Sequence, residues 1–335
     1  MSDLFIPSST PSRGLMTISA ALDRQRRRSE WNDRFAHWER PASVTEEGTI
    51  ERAQSNVLAA ISGNRWLNEQ TVQILPQGSY YNNTNVRTEA DIDLRALHPA
   101  IKIQYHHDVN LDAARFILPY SDYGLTFDQI FETMRAELTA DFSMRFGPRN
   151  VVLGNKAIRI KGITGSRAEV DVVPAINFHY VTWVPHQSTY HTLNGVAILS
   201  SSGSWTLNFP LQHTVNGIAK RARTAHRFKR IVRIFKRMRA DMADRGLLTV
   251  KVPSFLVECL VYSVEDQHFL VEADDRYDRV RRVARRIQEM VSTDFVACRM
   301  TEVNEIKSLF HRDQAWTRET ALLFADAVLH HLGDS

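Results

Sequence analysis

Cysteine is nearly missing from this chain: Cys259 and Cys298 are the two in 335 residues, and they form no CxxC pair. That excludes a disulfide framework and a structural zinc site, and it suits a reducing compartment. No run approaches the roughly 18 consecutive apolar residues of a membrane-spanning helix. The opening MSDLFIPSSTPSRG lacks the charged-then-apolar layout of a secretory signal, so a soluble, cytoplasmic protein is expected. GxxxxGK[ST] and GxGxxG are both absent, which counts against P-loop and dinucleotide-binding chemistry. There is no internal repeat, low-complexity tract or coiled-coil pattern.

What is present is enough apolar material for a large core. Hydrophobic residues make up 43% of the chain, which fits one large domain or two lobes sharing a cleft. The net charge of +4 is unevenly spread. Between Lys220 and Arg245 stand eleven Lys or Arg residues against two acids, Asp241 and Asp244, and six arginines crowd Arg276 to Arg286. Such runs attract polyanions, either triphosphates or nucleic acid, or they are solvated helix faces.

Residues 1–15 are rich in Ser, Pro and Thr and read as a flexible terminus. A polar helix is expected from about Thr17 to Trp38, with Leu22, Trp31, Phe35 and Trp38 on its apolar side, and a second from Glu46 to Ile61. VQILPQGSYYNNTNV reads as a strand from Val72 to Leu75, a turn and a polar loop. In TEADIDLRAL the period-two alternation sends Asp91 and Asp93 to one face and Ile92 and Leu94 to the other. Residues 126–142 carry Phe127, Ile130, Phe131, Met134 and Leu138 at helical spacing. AIRIKGI, a turn at Gly165-Ser166, and AEVDVVPAINF then read as a hairpin whose second arm carries Asp171 and is closed by Pro174. After about residue 195 the pattern turns helical. Ser200 to Pro210 is read as a loop, with apolar stripes following at Phe228, Ile231, Val232, Phe235 and Met238 and at Val280, Val283, Ile287 and Met290. The expected architecture is α+β, with a mixed-sheet lobe at 16–195 and a helical lobe at 196–335.

The carboxylates carry the chemistry. Phosphoryl and nucleotidyl transfer needs positioned oxygens and compensation for developing negative charge more than covalent help. Two hard cations roughly 3.5–4 Å apart supply that, and Mg²⁺ takes only a few carboxylates while keeping several waters. Asp91-Ile92-Asp93 places two carboxylates side by side, and Asp171 inside Val170-Asp171-Val172 supplies a third. An aspartate within an apolar strand must face solvent or find a partner. Glu89 and Glu169 share the parity of these aspartates, which are preferred because apolar residues flank them directly. Gly78-Ser79 adds a turn where backbone N–H groups and a hydroxyl can approach a phosphate. A lone DxD or a lone Gly-Ser says little. Gly-Ser, then eleven residues, then Asp-Ile-Asp, then an apolar-flanked Asp 78 positions later says far more.

These residues resemble the DNA polymerase β-like nucleotidyltransferase superfamily. Within it the chain is most similar to the bacterial cGAS/DncV-like nucleotidyltransferases, over roughly residues 45–265, through QGSYYNNTNV, the Trp205-to-Pro210 segment, Asn216, RIVRIFKRMR and PSFLVECLVY. The resemblance implies a bilobal fold. It implies a template-independent joining of nucleoside triphosphates (ATP, GTP or pyrimidine nucleotides) into a cyclic di- or trinucleotide, in antiphage signalling through a downstream effector. Asp91, Asp93 and Asp171 match the ligands of two Mg²⁺ ions, with Mn²⁺ able to substitute, and Asp171 is placed to help deprotonate the attacking hydroxyl. Gln77, Gly78 and Ser79 match the turn that holds the donor triphosphate, and Lys236 and Ser254 match residues that reach it. Arg237 and Met238 stand where an aromatic usually follows that lysine, so base stacking has no assigned residue.

Apart from the resemblance, Lys229, Arg233 and Lys236 are spaced by four and three, so they share a helix face, which is expected to turn toward the cleft. A monomer needing no nucleic-acid activator is expected. The alternatives are transfer to an RNA 3′ end or another hydroxyl, and a non-catalytic nucleotide or nucleic-acid binding protein. The pairs His106-His107 and His330-His331 have no carboxylate or thiolate partner evident at metal spacing, and packing or surface roles are expected for them.

Overall fold

The computed structural model describes residues 13–41, 44–86, 92–118, 120, 123–163 and 167–333. Seven strands form one mixed sheet: β1 (Gln73–Gln77), β2 (Ile92–Tyr105), β3 (Val151–Leu153), β4 (Ile158–Ile160), β5 (Val170–Val184), β6 (Thr189–Leu199) and β7 (Trp205–Asn208). The order is β1-β2-β5-β4-β3, and β6 and β7 extend from the far half of β5. Strands β2 and β5 run parallel, and every other pairing is antiparallel.

The helices are α1 (Arg13–Trp38), α2 (Val44–Ile61), α3 (Arg65–Glu69), α4 (Gly78–Tyr81), α5 (Leu111–Ile117) and α6 (Phe127–Phe146) before the hairpin. After the sheet come α7 (Pro210–Arg223), α8 (Phe228–Asp244), α9 (Ser254–Ser263), α10 (Arg276–Ser292), α11 (Asp294–Ala297) and α12 (Arg318–Leu332).

Two hydrophobic clusters organise the chain. In the first, Ile92, Leu94 and Ala96 of β2 and Val170 and Val172 of β5 face α2 and α6. Helix α6 starts on a Thr126/Gln129 capping box and ends at Gly147, whose φ is 87°. Its Ile130, Phe131, Met134, Leu138 and Phe142 are all buried. At about 1.5–3 kcal/mol for each such side chain, packing outweighs the roughly 1 kcal/mol of the cap in holding this helix. Strand β2 alternates buried and half-buried residues from Ile92 onward, so Asp93, Arg95 and Leu97 fall on the face opposite the core.

The second cluster is helical, with the two apolar stripes of α8 and α10 packed together with α9 and α12. Trp31 and Phe35 of α1 join this cluster rather than the sheet.

Two sequence expectations need correction. Pro174 does not close its strand: β5 continues to Val184. On one edge β4 pairs only as far as Val172 and β6 begins at Ile176, so that edge has no strand at Pro174 to require its missing N–H. Nor is Ser200 to Pro210 a loop throughout. Ser200–Ser204 makes a tight turn through Gly203, and Trp205–Asn208 pairs back onto Leu199–Val196 as β7. Pro210 is then the first residue of α7, a position where its missing N–H costs nothing. A strand of four residues is too short for alternation to announce it.

Candidate active site

Asp93 and Asp171 are direct partners in the register of β2 and β5. Because these strands run parallel and bury their alternate residues against α6, both carboxylates stand side by side on the open face. Strand β1 brings Gln77 opposite Asp93 on the other side, and the chain turns at Gly78. Gly78 has φ 75°, and a methyl group at its Cα would lie 2.1 Å from Asp93 Oδ2. The position therefore needs glycine twice, for its backbone angle and for the close approach of the carboxylate.

Arg159, the register partner of Asp171 on β4, grips that carboxylate with a fork: Nε to Oδ1 at 2.9 Å and Nη2 to Oδ2 at 3.1 Å. Its Nε is also 3.2 Å from Glu169 Oε1. Asp171 thus has a counter-ion within the protein.

A cavity of about 570 Å³ lies between the sheet and the helices. Gln77, Gly78, Ser79, Asp93, Asp171, Lys236 and Ser254 all line it. Asp91 and the Gly165-Ser166 turn lie outside the described residues. The donors that Asp93 and Asp171 present are oxygens only, beside a glycine with no side chain to crowd them, and this suits a hard divalent cation.

The three cations of α8 separate. Arg233 spends its guanidinium on backbone carbonyls, Nε to Glu39 O at 2.8 Å and Nη1 to Asn83 O at 2.6 Å. Burial and the neighbouring Arg237 and Arg230 lower its pKa to about 10. Of Lys229, Arg233 and Lys236, only Lys236 lines the cavity, so the expected cationic face is reduced to one residue. Half of the second basic run is also taken up by ion pairs within the protein, Arg276 on Glu39, the buried Arg279 on Asp274 and Arg286 on Glu265.

Sequence reasoning missed the group that holds Lys236. Its Nζ is 2.8 Å from Glu258 Oε2 and 3.3 Å from Thr84 Oγ1. Thr84 donates to Glu258 Oε2 at 2.7 Å, and His213 Nε2 is 3.0 Å from Glu258 Oε1. Burial alone would push the Glu258 carboxyl up, but the Lys236 ammonium and His213 outweigh it and hold it far below the usual carboxylate range. This ion pair joins the chain after α4 to helices α7, α8 and α9. A glutamate inside the apolar run SFLVECLVY was the available signal, since a buried carboxylate demands a partner.

Also unforeseen are the aromatic surfaces. Phe209, Phe255 and Trp316 line the cavity, and the Phe255 and Trp316 rings lie 6.1 Å apart. At the same end Glu302 accepts from Asn304 at 2.6 Å and from Gln314 at 2.7 Å. Phe255 and Trp316 thus bring aromatic rings to the cavity wall, which Arg237 and Met238 do not.

The expectation for His106-His107 also needs correction. Asp108, in the turn just after β2, places its carboxylate 3.1 Å from His106 Nδ1 and 2.9 Å from His107 Nε2, so a three-donor group does form there. His331 meets Asp241 at 3.3 Å and packs on Trp31. Among the described residues no helix is long and apolar enough to cross a membrane.

Comparison with known proteins agrees with this geometry. Residues 215–333 match the cGAS/DncV-like nucleotidyltransferase C-terminal helical domain. The chain is 32% identical over 292 residues to a cyclic dipyrimidine nucleotide synthase of Legionella pneumophila, covering 86% of this chain and 93% of that protein. It is 31% identical over 306 residues to a cyclic dipurine nucleotide synthase of Elizabethkingia meningoseptica, covering 89% and 96%. A solved structure of the Elizabethkingia meningoseptica cyclic dinucleotide synthase with GTP and Apcpp superposes with a TM-score of 0.69 at 28% identity, over 90% of this chain and 98% of that one. With a matching helical domain, a matching fold and relatives above 30% identity along nearly the whole length, the chain belongs to the bacterial cGAS/DncV-like nucleotidyltransferases.

Proposed function

We propose that this nucleotidyltransferase joins nucleoside triphosphates, without a template, into a cyclic di- or trinucleotide that signals in antiphage defence. The observation that carries the reading is the register pairing of Asp93 with Asp171 on the wall of a cavity that also holds Gly78, Ser79, Lys236 and Ser254. Asp91, Asp93 and Asp171 would hold two Mg²⁺ ions, or Mn²⁺. When bound, these supply Lewis-acid compensation for charge on the transferring phosphoryl group.

The chain's own residues do the positioning. Gln77, Gly78 and Ser79 cradle the donor triphosphate from the sheet side, and Ser254 and Lys236 meet it from the helical side. Asp171 takes the proton of the attacking ribose hydroxyl as that oxygen bonds to the α-phosphorus and the bond to pyrophosphate breaks. Phe209, Phe255 and Trp316 offer faces on which bases stack. Relatives of nearly equal identity are named for dipyrimidine and for dipurine products, so base choice rests on a few cavity side chains rather than on the fold.

We assign catalysis to a lobe at 16–195 and nucleotide binding to a helical lobe at 196–335. The end of β6 and β7 carry the sheet past that line, and α1 packs into the helical core. The protein would act in the cytoplasm as a monomer, through an effector that reads its product, without a nucleic-acid activator.

The test is incubation with Mg²⁺ and all four nucleoside triphosphates, then phosphatase treatment and mass spectrometry. A phosphatase-resistant product of two or three nucleotides, absent for Asp93→Ala and Asp171→Ala, is expected. Products that phosphatase digests completely, or label found only on added RNA, would reject cyclisation.

A further inference from the structure

Two residues beyond Asp93, on the same face of β2, the guanidinium of Arg95 has unmet donors. Its Nε and Nη1 are buried from solvent and reach no hydrogen-bond acceptor. Leaving a buried donor unpaired is costly, more so when the group is charged. Burial lowers the pKa of Arg95, with the Tyr81 phenol opposing. Among the described residues no carboxylate pairs with it.

Arg95 lines a second cavity of about 260 Å³, adjoining the catalytic one. Gln77, Gly78, Asn82, Val196 and Pro210 line both. The two differ in their acids. Asp93, Asp171, Glu258 and Glu302 line the catalytic cavity, whereas among the described residues no acid lines the second.

Polar groups line the second cavity from four elements: Arg95 from β2, Asn177 from β5 with its Nδ2 donating to Pro99 O at 3.1 Å, Asn194 from β6, and the first turn of α7 from above. Helix α7 is 14 residues long, and its N-cap, Phe209, gives no side-chain cap. Pro210 has no N–H and His213 N–H reaches Phe209 O at 3.1 Å, so the N–H groups of Leu211 and Gln212 are left without an intrahelical acceptor at the positive end of the helix dipole. An uncapped helix end, an unpaired guanidinium and a pocket without acids call together for an anion. A guanidinium fork suits the oxygens of phosphate.

We propose that this second cavity is a phosphoanion site, with Arg95 and the amino end of α7 as its anchors. Its occupant is inorganic pyrophosphate or inorganic phosphate. The choice of pyrophosphate rests on the nucleotidyl-transfer reading, in which that leaving group is released across the shared wall at Gly78. Anion binding by the pocket does not depend on that reading.

The experiment is calorimetric titration of the full chain with pyrophosphate, and separately with phosphate, in EDTA. Without a divalent cation, binding bridged by a metal at Asp93 and Asp171 is removed, and Ser79→Ala reports any anion that still enters the catalytic cavity. Wild type is expected to bind pyrophosphate at one site. Arg95→Met should weaken that binding at least tenfold, Arg95→Lys less, and Ser79→Ala not at all. Thermal melting of Arg95→Met without ligand should match or exceed wild type, because an unpaired buried charge has been removed.

No binding of either anion to wild type, or equal binding to wild type and Arg95→Met, overturns the proposal. So does loss of binding in Ser79→Ala with retention in Arg95→Met. A preference for pyrophosphate of tenfold or more supports the leaving group as occupant, and equal binding of phosphate overturns that part. No nucleotide is turned over in these titrations, so a negative result leaves the transfer reading standing, and failed turnover leaves the anion site standing.

Discussion

Gly78 and Asp93 touch: the space a side chain would need at Gly78 is filled by the Asp93 carboxylate, 2.1 Å from where a Cβ would lie. The Gly78-Ser79 turn, to which we assign the triphosphate, and the strand that carries the acid are therefore one mechanical unit. Gly78→Ala must push Asp93 aside and must also strain a backbone held at φ 75°. We expect at least a hundredfold loss of nucleotide turnover with a cost to folding of only about 1–2 kcal/mol. Activity within threefold of wild type, measured beside a urea titration, would show that Asp93 does not need this contact.

Arg159 sets a second expectation. It grips Asp171 through two hydrogen bonds, so a cation binding at Asp171 must compete with a guanidinium. The arginine is about half exposed, and such a pair is worth only about 0–1 kcal/mol to stability. Arg159→Gln should leave the melting temperature nearly unchanged and lower the Mg²⁺ concentration for half-maximal activity several-fold. An unchanged or increased metal requirement would mean that Arg159 supports the metal-bound geometry instead.

The Lys236–Glu258 pair is of the opposite kind, with both side chains nearly inaccessible. Removing one partner strands a buried charge, so Glu258→Gln and Lys236→Met should each cost about 3–5 kcal/mol in urea unfolding. The double variant should recover part of that loss, because no lone charge is left inside. If the two single costs simply add, the pair is not coupled. Activity should fall in all three, since Lys236 lies on the catalytic cavity.

These contrasts show what was readable in the sequence. The sheet face was legible because β2 alternates buried and half-buried residues, and one apolar residue on each side fixed the parity of Asp93 and Asp171. The strand β7 was not legible, since four residues after a serine-rich turn carry no usable period. Glu258 could be seen as odd in its apolar run, but its partners Thr84 and His213 lie 174 and 45 positions away, and sequence spacing does not encode such contacts. Glu302, Asn304, Gln314 and Trp316 come from an irregular segment between α11 and α12, where no periodicity predicts which side chains turn inward. Arg233 was misjudged for a related reason. Its helix face was right, but the backbone carbonyls that take up its guanidinium belong to residues 39 and 83.

His98 provides a test that depends on packing rather than on catalysis. It is fully buried at the end of the alternating part of β2. Its Nδ1 accepts from the Ala100 N–H at 3.0 Å, which leaves Nε2 to donate to Gln70 Oε1 at 3.1 Å. The ring is therefore satisfied as the neutral tautomer, and burial lowers its pKa to about 4. In the unfolded chain the ordinary value is about 6.5. Between those two values the unfolded state binds the extra proton, so stability is complete above about pH 6.5 and is lost as pH falls toward 4. The contribution between pH 7 and 5 comes to about 2 kcal/mol. His98→Gln cannot titrate, so the fall in urea-unfolding free energy over that range should be smaller than in wild type by about this amount. Parallel profiles for the two proteins would mean that His98 accepts a proton inside the fold without penalty.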